Sequence, residues 1–262
     1  MKKQFSILLF LISFLIFSQN KILVSQINQQ NVKADNFVGQ DAFGYIYHIK
    51  NDVFCKTKDY EIFQYKNVSF GKITRVDIQN PLKIIMFYED FNTVIILDNQ
   101  LNEVQKINFN LLPQNIVVSS IGNTIQNNLW VFNANNQQIG LYNYLRNTVK
   151  FIANPVTKTI KFYQTNNNTF FWIDNENNAF SCDIFGKIAT IGKIEDFDKM
   201  QFISNNEIIF KKDNLLYYLN LKVGIKKIIE INQKSIQDFY FKDQNLAIFT
   251  NEEITNYKIT IP

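Results

Sequence analysis

A short apolar hairpin, repeated along the chain at a spacing of roughly forty residues, limits what this sequence can fold into more than any other feature. The plainest copy runs from Pro81 to Phe109. Lys83–Tyr88 (KIIMFY) and Thr93–Leu97 (TVIIL) read as two strands joined by Glu89-Asp90-Phe91-Asn92, and a turn at Asp98-Asn99 leads to a third, Val104–Phe109. Runs of five or six β-branched and aromatic residues, cut by Asn, Asp and Gly clusters, carry the strand reading. No helical period of useful length competes with it beyond the first eighteen residues.

Taken in order, the units have four strands each. The first is Asp35–Gln40, Tyr45–Ile49, Val53–Cys55 and Glu61–Tyr65; the second is Ile73–Ile78 followed by the hairpin strands above. The third is Ile116–Ile121, Asn128–Phe132, Gln138–Tyr142 and Thr148–Ile152, and the fourth Thr159–Gln164, Thr169–Ile173, Ala179–Cys182 and Lys187–Ile191. The fifth is Met200–Ser204, Glu207–Phe210, Leu215–Leu219 and Lys226–Ile231. The sixth has only three strands, Ile236–Lys242, Leu246–Phe249 and Ile254–Ile259. This pattern predicts an all-β propeller, six blades preferred over five or seven, as one domain over residues 19–262. An open ring would leave a bare strand edge, so Lys21–Asn28 is expected to supply the missing outer strand of the last blade.

One column supports the alignment independently of hydrophobicity. The turn after the third strand opens with Asp98, Asn143, Asp183 and Asn220, side chains that bond the backbone two residues on. The first unit departs, with Lys56 there. Asp41-Ala42-Phe43-Gly44 and Asp183-Ile184-Phe185-Gly186 share a D-x-x-G spacing in which Gly supplies a positive φ.

The first residues address the compartment. Met1-Lys2-Lys3 is a basic start and Phe5–Phe17 an unbroken apolar run of thirteen residues, the length of a signal-peptide core and too short to span a bilayer. Residues 1–18 therefore read as a cleaved leader, with Ser25 a second choice of cleavage position. A periplasmic, outer-membrane-associated or secreted mature chain is expected, without a stable transmembrane span. Its formal charge of +4 falls to about +2 without Lys2 and Lys3, which gives no sign of a nucleic-acid partner. Cys55 and Cys182 occupy the same column of repeats one and four, on opposite sides of a ring, and are read as buried packing residues.

The stretches ADNFVGQDAFGYIY (34–47), GKITRVDIQNPLKIIMFYEDFNTVIILDNQLNE (71–103) and NNLWVFNANNQQIGLYNY (127–144) resemble exported β-propeller proteins of flavobacteria-type bacteria. The resemblance implies a propeller fold and export, and carries no catalytic residue across.

For chemistry the candidates are sparse. His48, the single histidine, sits among alternating strand residues. A sugar hydrolase would need paired carboxylates facing the channel, for which Asp35, Asp77 and Asp238 are available, with Arg75 as an anion binder. They lie at different strand ends. The Asp174–Asn178 run is a solvated loop before it is a cation site, and no Gly-rich phosphate loop exists. No catalytic residue, metal or cofactor is expected. What remains is a face: the second-to-third-strand loops carry Asp52, Glu89, Asp90, Asp174, Glu176, Asp213, Glu252 and Glu253, with Phe91 as an exposed aromatic anchor. The opposite turns carry Lys56, Lys58, Arg146, Lys187, Lys222, Lys226 and Lys227. This polarity predicts a monomeric, non-enzymatic scaffold that docks an envelope protein through its acidic rim. The competing classes are a glycan-active hydrolase or glycan-binding lectin using the channel, and a structural accessory with no ligand.

Overall fold

The computed structural model describes residues 21–232 and 235–262, so the leader lies outside the described residues. The chain opens with β1 (Lys21–Asn31). Four antiparallel meanders follow. The first sheet is β2 (Asn36–Gln40), β3 (Ile46–Lys50), β4 (Val53–Lys58) and β5 (Glu61–Tyr65). The second is β6 (Arg75–Asp77), β7 (Ile84–Tyr88), β8 (Thr93–Leu97) and β9 (Glu103–Asn108). The third is β10 (Val118–Asn123), β11 (Asn128–Asn133), β12 (Gln138–Asn143) and β13 (Thr148–Phe151). The fourth is β14 (Ile160–Thr165), β15 (Thr169–Asp174), β16 (Asn178–Asp183) and β17 (Ile188–Lys193). The remaining strands are β18 (Lys199–Phe202), β19 (Glu207–Lys212), β20 (Leu215–Asn220), β21 (Ile225–Glu230), β22 (Asp238–Lys242), β23 (Asn245–Phe249) and β24 (Glu253–Ile259).

These last seven join β1 in one eight-stranded sheet, ordered β18-β19-β20-β21-β1-β24-β23-β22. The expectation of six separate sheets is thus corrected to five, four of four strands and one of eight. The physical reason is that β1 bonds on both edges. Lys21–Leu23 pair parallel with Ile228–Glu230 of β21. Val24–Asn31 then pair antiparallel with β24, with a register shift between Gln26 and Asn28. The Lys21 ammonium reaches the Glu230 carboxylate at 2.7 Å.

The hydrophobic runs follow from packing on both faces. In β7, Ile84, Met86 and Tyr88 face a cluster shared with Tyr47 and Phe54 of the first sheet. Alternate residues Ile85 and Phe87 face the third sheet, against Leu129 and Val131. A strand covered on both sides has no polar alternation, which is why KIIMFY reads as an unbroken apolar segment. The same sharing continues around the molecule. Trp130 and Ile139 meet Phe170 and Trp172; Phe171 and Ile173 meet Ile208 and Phe210. Ile209, Leu216 and Tyr218 meet Leu246 and Ile248, with Ile22 of β1 in the same cluster. Phe37 and Ile46 meet Ala247, Phe249 and Ile254, so the last meander packs on the first. Each fully buried Ile, Leu or Phe contributes on the order of 1.5–3 kcal/mol, and these clusters are the principal source of cohesion.

The turns use the expected device. Asp98 Oδ1 accepts the N–H groups of Gln100 and Asn102, both at 2.8 Å. Asp183 Oδ1 accepts those of Phe185 and Lys187 at 2.9 and 3.0 Å, and Asp41 Oδ1 those of Phe43 and Tyr45 at 2.9 and 3.0 Å. Asn143 and Asn220 cap their turns from the same column. The Asn102 side chain, against the opposing effect of burial, holds the Asp98 carboxyl below the usual range. Gly44 and Gly186 have φ of 85° and 87°. Lys56, the exception, lies within β4, where its ammonium bonds the Asn99 carbonyl at 2.6 Å and sits 4.2 Å from the centre of the Tyr45 ring.

The two glycines separate two costs. A Cβ at Gly44 meets nothing nearer than 3.9 Å, whereas one at Gly186 falls 1.8 Å from the Ile152 carbonyl oxygen. Gly44→Ala is expected to cost only the left-handed penalty, about 1–2 kcal/mol, and Gly186→Ala clearly more because backbone must move. Urea unfolding of both variants measures the difference; equal losses refute the clash.

Candidate functional site

The first strands β2, β6, β10, β14, β18 and β22 line the centre, and their inward edges lack ladder partners. Side chains of a neighbouring first strand reach three of those edges, on β10, β18 and β22. The Gln164 amide bonds Phe202 of β18 in both directions, donating to its carbonyl and accepting its N–H at 2.8 Å each. Gln201 repeats this one step on, with the Phe241 carbonyl at 2.7 Å and its N–H at 2.8 Å. Asp77 accepts the Asn123 N–H at 2.7 Å through Oδ2 and the Gln79 N–H at 2.8 Å through Oδ1. The Tyr163 hydroxyl accepts the Ile121 N–H at 3.2 Å, and the Arg75 guanidinium lies 4.0 Å from the centre of the Tyr163 ring. Close packing completes the centre: a Cβ at Gly122 would lie 2.0 Å from Thr165 Oγ1, and one at Gly39 2.8 Å from Ile78 and Tyr240.

The three carboxylates considered for channel chemistry engage three different sets of partners. Asp77 bridges β6 to β10 as above. Asp238 pairs with Lys199 at 2.9 Å. Asp35, just before β2, accepts the Asn51 N–H at 2.6 Å. His48 and Cys55 are cross-strand partners on β3 and β4, both buried. Burial, and then Lys50, lowers the imidazole; burial raises the Cys55 thiol. Both shifts favour the neutral forms, the reverse of a thiolate–imidazolium nucleophile. Cys182 is likewise buried, on β16 of the fourth sheet, its thiol pushed up to about 12 by burial and then by Asp183. Among the described residues no three His, Cys, Asp or Glu side chains form a group able to hold a metal ion.

The acidic rim resolves into distinct parts. Glu89–Phe91 form a 3-10 turn between β7 and β8, closed by Asn92 in the left-handed region at φ 46°. The Asn92 side chain fixes this turn to the neighbouring link, donating to the Ile116 carbonyl at 2.7 Å and accepting the Val118 N–H at 3.0 Å. Phe91 is 45% exposed and meets Phe70 edge-on at 5.8 Å. Burial, then Asp90, pushes the Glu89 carboxyl above its ordinary value. Asp174, in contrast, is fully buried and caps its own hairpin through the N–H groups of Glu176 and Asn178. Glu176 bonds Lys158, and Glu253 accepts from Gln29. Asp52, Glu89, Asp90, Asp213 and Glu252 remain exposed and outside the ion pairs of the described residues. They sit on four successive hairpins, β19–β20, β23–β24, β3–β4 and β7–β8. The links between meanders carry both signs, Lys33, Lys66 and Lys72 on some and Glu195, Asp196 and Asp198 on the β17–β18 link, these three acids being paired with lysines.

Sequence reasoning missed the side-chain bridges, although Gln164 and Gln201 stand one residue before the end of successive first strands. It also missed a groove of about 460 Å³ beside the Glu89 turn, walled by Ser119, Ser120, Lys158, Lys161 and Tyr163. No helix of the described residues is long and apolar enough to cross a membrane.

No protein-family model matches the chain, and comparison with curated proteins finds no match. Solved structures do match in shape. Virginiamycin B lyase from Staphylococcus aureus aligns with a TM-score of 0.59 at 10% identity, over 89% of this chain and 99% of the lyase. The Cps50 (Swd1) β-propeller domain of Myceliophteria thermophila gives 0.60 at 9% identity, over 90% and 100%. A member of the DUF4221 family from Bacteroides vulgatus gives 0.61 at 8% identity, over 94% and 99%. Likeness at these identities is likeness of fold, and with the meanders described above it makes this chain an all-β propeller.

Proposed function

We propose that this chain is an exported, non-enzymatic interaction module of the cell envelope, a six-bladed disc that docks a protein partner through the acidic hairpin tips of one face. The observation that carries this reading is a division of labour among carboxylates. Those of the centre bond backbone or lysine, while Glu89, Asp90, Asp52, Asp213 and Glu252 stand exposed on consecutive hairpins. Exposed charge of one sign steers encounter with an oppositely charged surface, and Phe91 supplies an apolar anchor within it. The basic start and apolar core of residues 1–18 support export, as does the resemblance of residues 71–103 to exported propellers of flavobacteria-type bacteria. The blade count reads the eight-stranded sheet as two blades, β18–β21 and β22–β24 with β1, sharing β1 as a seam. Six clusters between successive meanders support that count. The tightly packed centre disfavours a channel enzyme.

Pull-down from solubilised envelopes, read by mass spectrometry, tests the function. The double variant Glu89→Lys, Asp90→Lys should capture the partner several-fold less at low salt, with the difference shrinking as salt shortens the Debye length below about 10 Å. Capture should also weaken as pH falls through the raised Glu89 pKa, since protonation removes the charge; Glu89→Gln should shift that midpoint down. Equal capture by wild type and double variant refutes the acidic docking face. Asp77→Asn leaves one backbone N–H facing an amide NH₂ and should cost about 1–2 kcal/mol of stability. A channel hydrolase would instead lose turnover with stability unchanged. Deleting residues 19–30 strips β1 from β21 and β24 and should lower the melting temperature sharply; an unchanged melt refutes the seam.

A further inference from the structure

A second feature, independent of the acidic tips, lies where β1 and the last meander meet the first sheet. A cleft of about 360 Å³ opens there, within the size range of small-molecule sites. Its floor is Asn256 of β24, which pairs across the sheet with Asn28 of β1 on one side and Ala247 of β23 on the other. Asn256 is only 4% exposed. Its Nδ2 donates to Asn28 Oδ1 at 2.8 Å, which sets the direction of the amide. Its Oδ1 is buried and has no hydrogen-bond partner. That oxygen has no open surface, so Asn256 acts on the cleft through the Asn28 amide that it orients.

The cleft exists because β1 is irregular at this point. Ile27 falls in the register shift between Gln26 and Asn28 and opposes no residue of β24. It is 54% exposed and lines the cleft, as does Asn28. A bulge of this kind redirects side chains, and bulges recur beside binding sites. The opposite wall comes from the first sheet, through Gln40 and the Asp41–Gly44 turn, and the rim from Lys242, Asp243 and Asn245 at the β22–β23 turn. Tyr240, Ala42 and Ala247 contribute carbon surface.

We infer that this seam cleft binds a neutral polyhydroxyl ligand, one or two sugar rings in size, through the side-chain amides of Asn28, Gln40 and Asn245. Four side-chain amides, of Asn28, Gln40, Asn245 and Asn256, surround the space, and an amide both donates and accepts, as a sugar hydroxyl does. The Tyr240 ring and the two alanines suit the C–H face of a sugar. Charge selects against ions: Lys242 and Asp243 stand side by side on the rim with opposite charges, and the Asp41 carboxylate, already holding the Phe43 and Tyr45 N–H groups and the Tyr47 hydroxyl, repels a phosphate. The cleft draws residues from β1, β24 and the first sheet together, so it forms only where both chain ends meet.

Saturation-transfer NMR on the mature protein tests this, with glucose, galactose, mannose and N-acetylglucosamine as probes and inorganic phosphate and glycylglycine as comparison ligands. At least one sugar should receive saturation and glycylglycine none, with phosphate equally inert in titration. Asn245→Ala and Gln40→Ala, both outside the hydrophobic clusters, should each weaken that sugar about tenfold, the equivalent of one hydrogen bond. Asn256→Leu, which removes the donor that orients the Asn28 amide, should weaken it as well; if that variant fails to fold, the other two decide the matter. No sugar binding, binding indifferent to Asn245→Ala and Gln40→Ala, or preference for phosphate or the dipeptide would each overturn the inference.

Discussion

The structure depends on one constraint: strand edges that the meanders leave bare inside the molecule must find hydrogen-bond partners within the chain. Four-stranded sheets satisfy their inner ladders by themselves, but each has a first and a last edge. At the centre, the Gln164, Gln201, Asp77 and Tyr163 side chains reach the backbone of the next first strand. At the far side, β1 covers β21 and β24 at once. Strand edges are therefore handled by two different means, and each leaves a mark on the structure. The first fills the centre. The second creates a seam with a bulge in it.

That difference explains why a residue type alone does not announce a site in this molecule. Asp77 and Asp174 are both carboxylates, yet each holds backbone N–H groups and acts as a structural acceptor. Glu89 and Asp90 differ in context only: their turn is fixed by Asn92, which leaves their own side chains to solvent. A turn fixed in this way loses little backbone entropy on binding, which is what the proposed docking face requires of it.

Turn chemistry also keeps the architecture in register. A hairpin slipped by one residue would exchange the two faces of β7, and both faces are buried against different neighbours. Asp98, Asp183 and Asp41 each fix their turn by two N–H bonds from one oxygen, so the strands on either side meet at a single offset. Lys56, in the same column of the first unit, instead lies within β4, and its ammonium ties that strand to the Asn99 carbonyl of the next sheet.

Much of the fold was legible in the residues themselves. The hairpin period, the Asp/Asn turn column and the D-x-x-G glycines are local or periodic signals, and local hydrogen bonding obeys local sequence. The site was less so. Whether Glu176 is free depends on Lys158, and whether Asp174 is exposed depends on how its hairpin folds back upon it. The central bridges join residues 38 to 46 positions apart, one repeat away, where side-chain reach and strand spacing decide the contact. The seam cleft joins Asn28 to Asn256, 228 positions apart. Periodicity dictates strands and turns because they are bonded within one unit; only three-dimensional closure decides which polar groups meet across units, and so which remain available to a partner.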